Sequence, residues 1–103
     1  MLQEISGYDW DDGNCQKCQK HGVSIEEIET LFSSKVWISP DINHSQLEER
    51  FLAVGKSTKG KYIFVAFTLR EKEEEIFIRP ISARYMHEKE VLRYEENITE
   101  NDD

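Results

Sequence analysis

The sequence is poor in cysteine, with only Cys15 and Cys18 in 103 residues. Two thiols three apart do not make the disulfide framework that staples small secreted domains. No apolar run approaches the ~20 residues a membrane span needs, and no secretory signal pattern is evident. The expectation is a cytoplasmic protein without membrane contact. Positive charge is also short: 13 Lys and Arg stand against 21 Asp and Glu, a net charge of −8. A protein that coats nucleic acid would be basic overall, although a local basic site stays open. Serine and cysteine nucleophile motifs, a P-loop, a Rossmann glycine fingerprint and a helix-turn-helix are all missing.

What is present suffices for one core. Hydrophobic residues make up 38%, including five Phe, four Tyr and two Trp. Residues 1–96 are read as a single domain. Residues 97–103 form an acidic tail, since five carboxylates between Glu95 and Asp103 face no basic residue.

The charge is segregated. From Arg50 to Arg70 the chain carries five basic residues (Arg50, Lys56, Lys59, Lys61, Arg70) and no carboxylate. Ile76 to His87 adds Arg79 and Arg84, again without acid. An acidic chain that keeps its central sheet free of acid suggests a surface for an anion.

That sheet is predicted as a β-hairpin over Arg50–Arg70, turning near Ser57-Thr58-Lys59-Gly60, followed by a strand over Ile76–Ala83. Pro80 removes a ladder donor, so the last strand is expected at an edge or bulged. Before it, Ile5–Trp10 reads as a short strand ending in the turn Asp11-Asp12-Gly13, and Val36–Ile38 as another strand. A helix is predicted from about Asn14 to Lys20, stopped by Gly22. A second begins at Ser24, with Glu27 completing a capping box and Val23 and Ile28 a hydrophobic staple. Its stripe is Ile25, Ile28, Leu31 and Phe32, with Glu26 and Glu29 outward. Glu71–Glu75 forms a charged turn, and a final helix is expected from near Tyr85 to about Glu96. The fold class is α+β: a small antiparallel sheet of about four to five strands, two N-terminal helices and a C-terminal helix.

Three signals bear on chemistry. Cys15-x-x-Cys18-x-x-His21 offers three ligands where a structural zinc needs four, the fourth having to come from His44 or His87. Small buried packing is the plainer role for such a pair on a helix. Lys20-His21-Gly22 presents two cationic donors at a helix end, or simply terminates it. Arg84 at the strand-to-helix junction suits a phosphate, and equally an ion pair to Glu88 or Glu90 on the final helix. Both roles stand open at this point.

Taken in order, Trp10-Asp11, Lys20-His21-Gly22-Val23-Ser24, His44-Ser45, Glu48-Glu49-Arg50-Phe51, Gly55-x-Ser57, Ile81-Ser82-Ala83-Arg84 and a late Tyr94 make a combination. It resembles the BrnT family of bacterial type II toxins across nearly the whole chain. The resemblance implies a RelE-like ribonuclease fold, arrest of translation by RNA cleavage, and neutralisation by a BrnA-like ribbon-helix-helix antitoxin. DNA would be met only indirectly, through that antitoxin.

Metal-free cleavage of RNA, with no cofactor, needs a base for the 2′-hydroxyl, cations for the phosphorane and an acid for the leaving oxygen. Arg84 and Arg50 are the candidates for the phosphorane. Lys56, Lys59, Lys61 and Arg79 are the candidates to guide the RNA backbone. Glu49 or His87, with Tyr94 a third, are the acid and base candidates, left unranked. Tyr62 and Phe64 are candidate stacking surfaces, core packing being the plainer role for Phe64. The competing reading is a binding partner and co-repressor without catalysis. A lesser one is a zinc adaptor on Cys15, Cys18 and His21.

Overall fold

A computed structural model describes residues 5–41 and 48–101, with side chains described as far as Glu96. The chain runs β1 (Ile5–Tyr8), α1 (Asp12–Gln19), α2 (Ile25–Ser33), β2 (Trp37–Pro40), β3 (Phe51–Lys56), β4 (Tyr62–Lys72), β5 (Glu75–Tyr85) and α3 (Glu88–Asn101). His44-Ser45 lies outside the described residues.

Each helix start follows from local chemistry. Asp11 is a cap rather than a strand-ending turn, so α1 begins earlier than its spacing suggests. Its carboxylate accepts the Asn14 N–H at 2.9 Å, and the Asn14 side chain accepts the Asp11 N–H at 2.7 Å. The Asn14 amide also donates to Pro80 O at 2.8 Å, which ties the start of α1 to β5. In α2 the Ser24–Glu27 box is closed in both directions, at 3.0 and 3.1 Å. Val23 and Ile28 are both buried in the core, where the staple places them. Glu29, expected outward, is half-buried instead and accepts the Trp10 indole N–H at 2.8 Å.

The sheet order is β1-β5-β4-β3-β2. It is mixed rather than wholly antiparallel, because β1 lies parallel to β5 along Ile76–Ile78. β5 is therefore internal, and Pro80 is tolerated for two local reasons. The β4–β5 register slips there, Ala66 facing Ser82 and Phe67 facing Pro80, so Ile81 is the extra residue of a bulge. On the other side β1 has already ended.

One sheet face packs on α1 and α2. Ile63, Val65 and Phe67 from β4 meet Ile28, Leu31 and Cys18 in a single buried cluster. Phe67 sits between Phe32 (ring centroids 5.0 Å, edge-on) and Phe51 (5.4 Å, stacked). α2 lies so close to β3 that a Cβ on Gly55 would fall 2.5 Å from Leu31 Cδ1.

The β3–β4 turn closes through Gly60 N–H to Ser57 O at 2.9 Å, with Gly60 at φ 78°. β5 runs on to Tyr85, further than the sequence suggests, because Tyr85 is still paired with Ile63. Met86 N–H then caps the pairing on Tyr62 O at 2.9 Å. α3 accordingly starts at Glu88 and not near Tyr85.

Candidate functional site: a cleft beneath Arg84

Residues paired across antiparallel strands point to the same side of a sheet. The face away from α1 and α2 therefore carries two rows: Trp37, Val54, Phe64 and Arg84, then Ser39, Leu52, Ala66 and Ser82. α3 covers one end of this face, its Tyr94 ring 5.3 Å from that of Tyr62. Beside it a cleft of about 300 Å3 opens over Leu52, Phe64 and Ala66, walled by His21, Ser82 and Arg84. A second hollow of about 260 Å3 adjoins it across Phe64, lined by Val54, Met86, Glu90 and Tyr94.

Arg84 stands between the two. Its guanidinium lies 4.6 Å from the Phe64 ring centroid, a cation–π contact. It also grips Glu90 with two bonds, 2.8 and 2.9 Å, and donates to Tyr85 O at 3.3 Å. Of the two roles open to Arg84, the ion pair to α3 is thus present, through Glu90. The Arg84 pair, helped by the His87 N–H, holds the Glu90 carboxyl down to about 2. Guanidinium has five N–H donors, so among the described residues the Nε–H and one Nη2 hydrogen remain for a further acceptor. Tyr94 keeps its proton more firmly than usual, through burial and the neighbouring Tyr62.

A buried carboxylate holds the near end of the sheet together, and sequence reasoning missed it. Glu27 is 1% exposed. Beyond the Ser24 N–H, it accepts the Tyr85 hydroxyl at 2.9 and 3.0 Å, with Lys59 Nζ at 3.7 Å. Burial pushes its carboxyl up. Hydrogen bonds from Ser24, Tyr85 and Ser57 and the charge of Lys59 outweigh this, and the net shift is downward. The same interactions push the Tyr85 phenol up, burial leading. Only the capping box was legible as a signal, because Tyr85 lies 58 residues further along the chain.

The basic platform is only partly a free surface. Carboxylates from elsewhere in the chain come to meet it. Arg79 pairs with Asp11 at 2.7 Å and Asp9 at 3.5 Å, in a separate hollow by the start of α1. Arg70 pairs with Glu48, and Lys72 with Asp9 at 3.3 Å. Glu49 precedes β3, where its carbonyl accepts the Thr68 hydroxyl at 2.7 Å. Arg50 follows it, its carbonyl accepting the Asp41 N–H at 2.8 Å; neither lines the cleft. His87 caps α3 through its backbone and its residue is exposed. At the hairpin end Lys56 rides 5.6 Å from the Tyr62 ring and Lys61 5.1 Å from that of Tyr85. The structure thus brings Arg84, Tyr94, Lys56, Lys59 and Lys61 to one end, and leaves Arg79, Glu49 and Arg50 elsewhere.

Cys18 is fully buried in the core, and burial, then the neighbouring Cys15, pushes its thiol up to about 11. A buried thiol of that kind is packing material. Among the described residues no three His, Cys, Asp or Glu side chains converge as a metal site.

This is a small α+β domain whose sheet ends in a guanidinium set on an aromatic floor, the chemistry of an anion site. The family model described as "Ribonuclease toxin, BrnT, of type II toxin-antitoxin system" matches residues 10–90. The chain belongs to this family, which implies RNA as substrate and an antitoxin as partner. The match runs from Trp10 through Glu90, and so takes in His21, Phe64, Arg84 and Glu90 but stops short of Tyr94. A search of curated proteins finds no match to the chain. Among the described residues no helix is long and apolar enough to cross a membrane.

Proposed function

We propose that the chain is a RelE-like, metal-independent endoribonuclease of the cytoplasm that arrests translation. A BrnA-like ribbon-helix-helix antitoxin neutralises it, and DNA is met only through that antitoxin. The observation that carries this reading is Arg84, held by Phe64 at the head of a cleft, with two donors unused among the described residues. A guanidinium so placed binds a phosphate edge and stabilises the extra charge of a phosphorane. Lys56, Lys59 and Lys61 lie where an RNA backbone leaving the cleft would pass. Among the acid and base candidates, Tyr94 is favoured over Glu49 and His87, because it alone lines a hollow beside Arg84.

The test is inducible expression of the wild-type chain and of Arg84→Ala, with growth and RNA integrity as readouts. Growth arrest and shortened RNA are expected for the wild type only, with antitoxin binding retained by both. Full toxicity in Arg84→Ala would rule the assignment out. The Arg84–Glu90 pair favours one other reading, a co-repressor in which Arg84 is only a fastening for α3. In that case expression of the wild type leaves cells healthy while the antitoxin is bound tightly.

A further inference from the structure

We propose that His21 is a catalytic residue of the same cleft, the proton acceptor for the attacking 2′-hydroxyl; this rests on the ribonuclease reading. The fold gives it little choice of position. α1 packs along β5 and ends at Gln19, whose carbonyl accepts the Gly22 N–H at 3.0 Å. Gly22 then turns the chain at φ 92°, and its carbonyl accepts the Tyr85 hydroxyl at 3.4 Å. His21 is thus fixed on one side by the end of α1 and on the other by Tyr85, the neighbour of Arg84. His21 forms a wall of the cleft that Arg84 heads.

The chemistry of the two hollows is complementary. Imidazole is the side chain suited to accept a proton near neutral pH. Tyr94, in the hollow across Phe64, is held protonated by burial, which suits a donor. An RNA phosphate on Arg84 would lie between them. O2′ bonds to phosphorus while its proton passes to the His21 imidazole. The bond from phosphorus to O5′ breaks with its electron pair on oxygen, and the Tyr94 hydroxyl supplies the proton. The products are a 2′,3′-cyclic phosphate and a 5′-hydroxyl. Water returns the proton from His21 to the phenolate.

The test is cleavage of a short single-stranded RNA by the purified chain, His21→Ala and Arg84→Ala, each with and without added imidazole. His21→Ala should lose on the order of 100-fold or more in kcat, with KM little changed. Free imidazole should restore its rate in proportion to concentration, because the cleft is open and His21 is exposed. Arg84→Ala should gain nothing from imidazole. A His21→Ala protein cleaving at the wild-type rate, or one whose loss imidazole does not repair, overturns the assignment and leaves the ribonuclease reading standing. An idle wild-type chain overturns both.

Discussion

Replacing Glu27 tests whether one buried carboxylate holds the site end of the sheet. Glu27→Gln keeps the shape and one acceptor oxygen for the Ser24 N–H. It removes the charge that receives the Tyr85 hydroxyl. Hydrogen bonds to a charged group contribute about 1.5–3 kcal/mol, so a loss of about 2 kcal/mol is expected. For a domain of this size that lowers Tm by on the order of 10 °C. The ion pair to Lys59 is not the source of the effect. Lys59 is 62% exposed and 3.7 Å away, and pairs of that kind contribute under about 1 kcal/mol. Lys59→Ala should therefore leave Tm within a few degrees. Glu27→Ala removes both oxygens and takes that acceptor from the Ser24 N–H and the Tyr85 hydroxyl, at a cost of about 1–3 kcal/mol each. The acid limb supplies a second check. The folded carboxyl titrates below its ordinary value of 4.5, so its stabilisation is present above that pH and fades as pH falls through the folded value. Thermal melts by circular dichroism should then show the gap between wild type and Glu27→Gln closing from pH 6 towards pH 3. A gap that does not change with pH, or a variant as stable as wild type, would refute the reasoning.

Three further outcomes follow from the coordinates. Gly55→Ala forces a Cβ to within 2.5 Å of Leu31 Cδ1, and overpacking of this kind costs about 1–3 kcal/mol, readable as a lower denaturant midpoint. The two-residue β4–β5 turn sets Glu73 at φ 51° and Glu74 at φ 69°, a left-handed conformation that costs an L residue about 1–2 kcal/mol. Glu73→Asn with Glu74→Gly, the pair such turns prefer, should raise stability by about 1 kcal/mol and Tm by about 4–8 °C. At pH 8 an alkylating reagent should label Cys15 alone in the native protein and both thiols in denaturant, as mass spectrometry would show. Rapid native labelling of Cys18 would contradict its burial and its pKa of about 11.

What could be read from the sequence was what neighbours in the chain decide. The Ser24–Glu27 box, the Val23–Ile28 staple and the Gly60 turn each depend on a few consecutive residues, and each formed as expected. Relations between distant segments escaped. The acid-free strands looked like a continuous cationic platform, yet Asp9, Asp11, Glu48 and Glu90 arrive from other elements and occupy Arg79, Arg70 and Arg84. The parallel seat of β1 was invisible for the same reason, since nothing in Ile5–Tyr8 says which edge it will join. His21 was marked as a third zinc ligand and as a cationic donor or stop at a helix end, not as a neighbour of Arg84. Its place beside Arg84 required knowing that α1 packs along β5.

The seat of β1 bears on how the toxin is made. Among the described residues β1 pairs only with Ile76–Ile78, which are made some seventy residues later, and the Asp9 and Asn14 contacts to Arg79 and Pro80 wait for the same strand. Contacts of such sequence separation form late. A nascent chain therefore cannot seat β1 or close the Asp9–Arg79 and Asn14–Pro80 contacts until β5 has been made, so this edge of the sheet is completed only after the intervening chain has folded or waited.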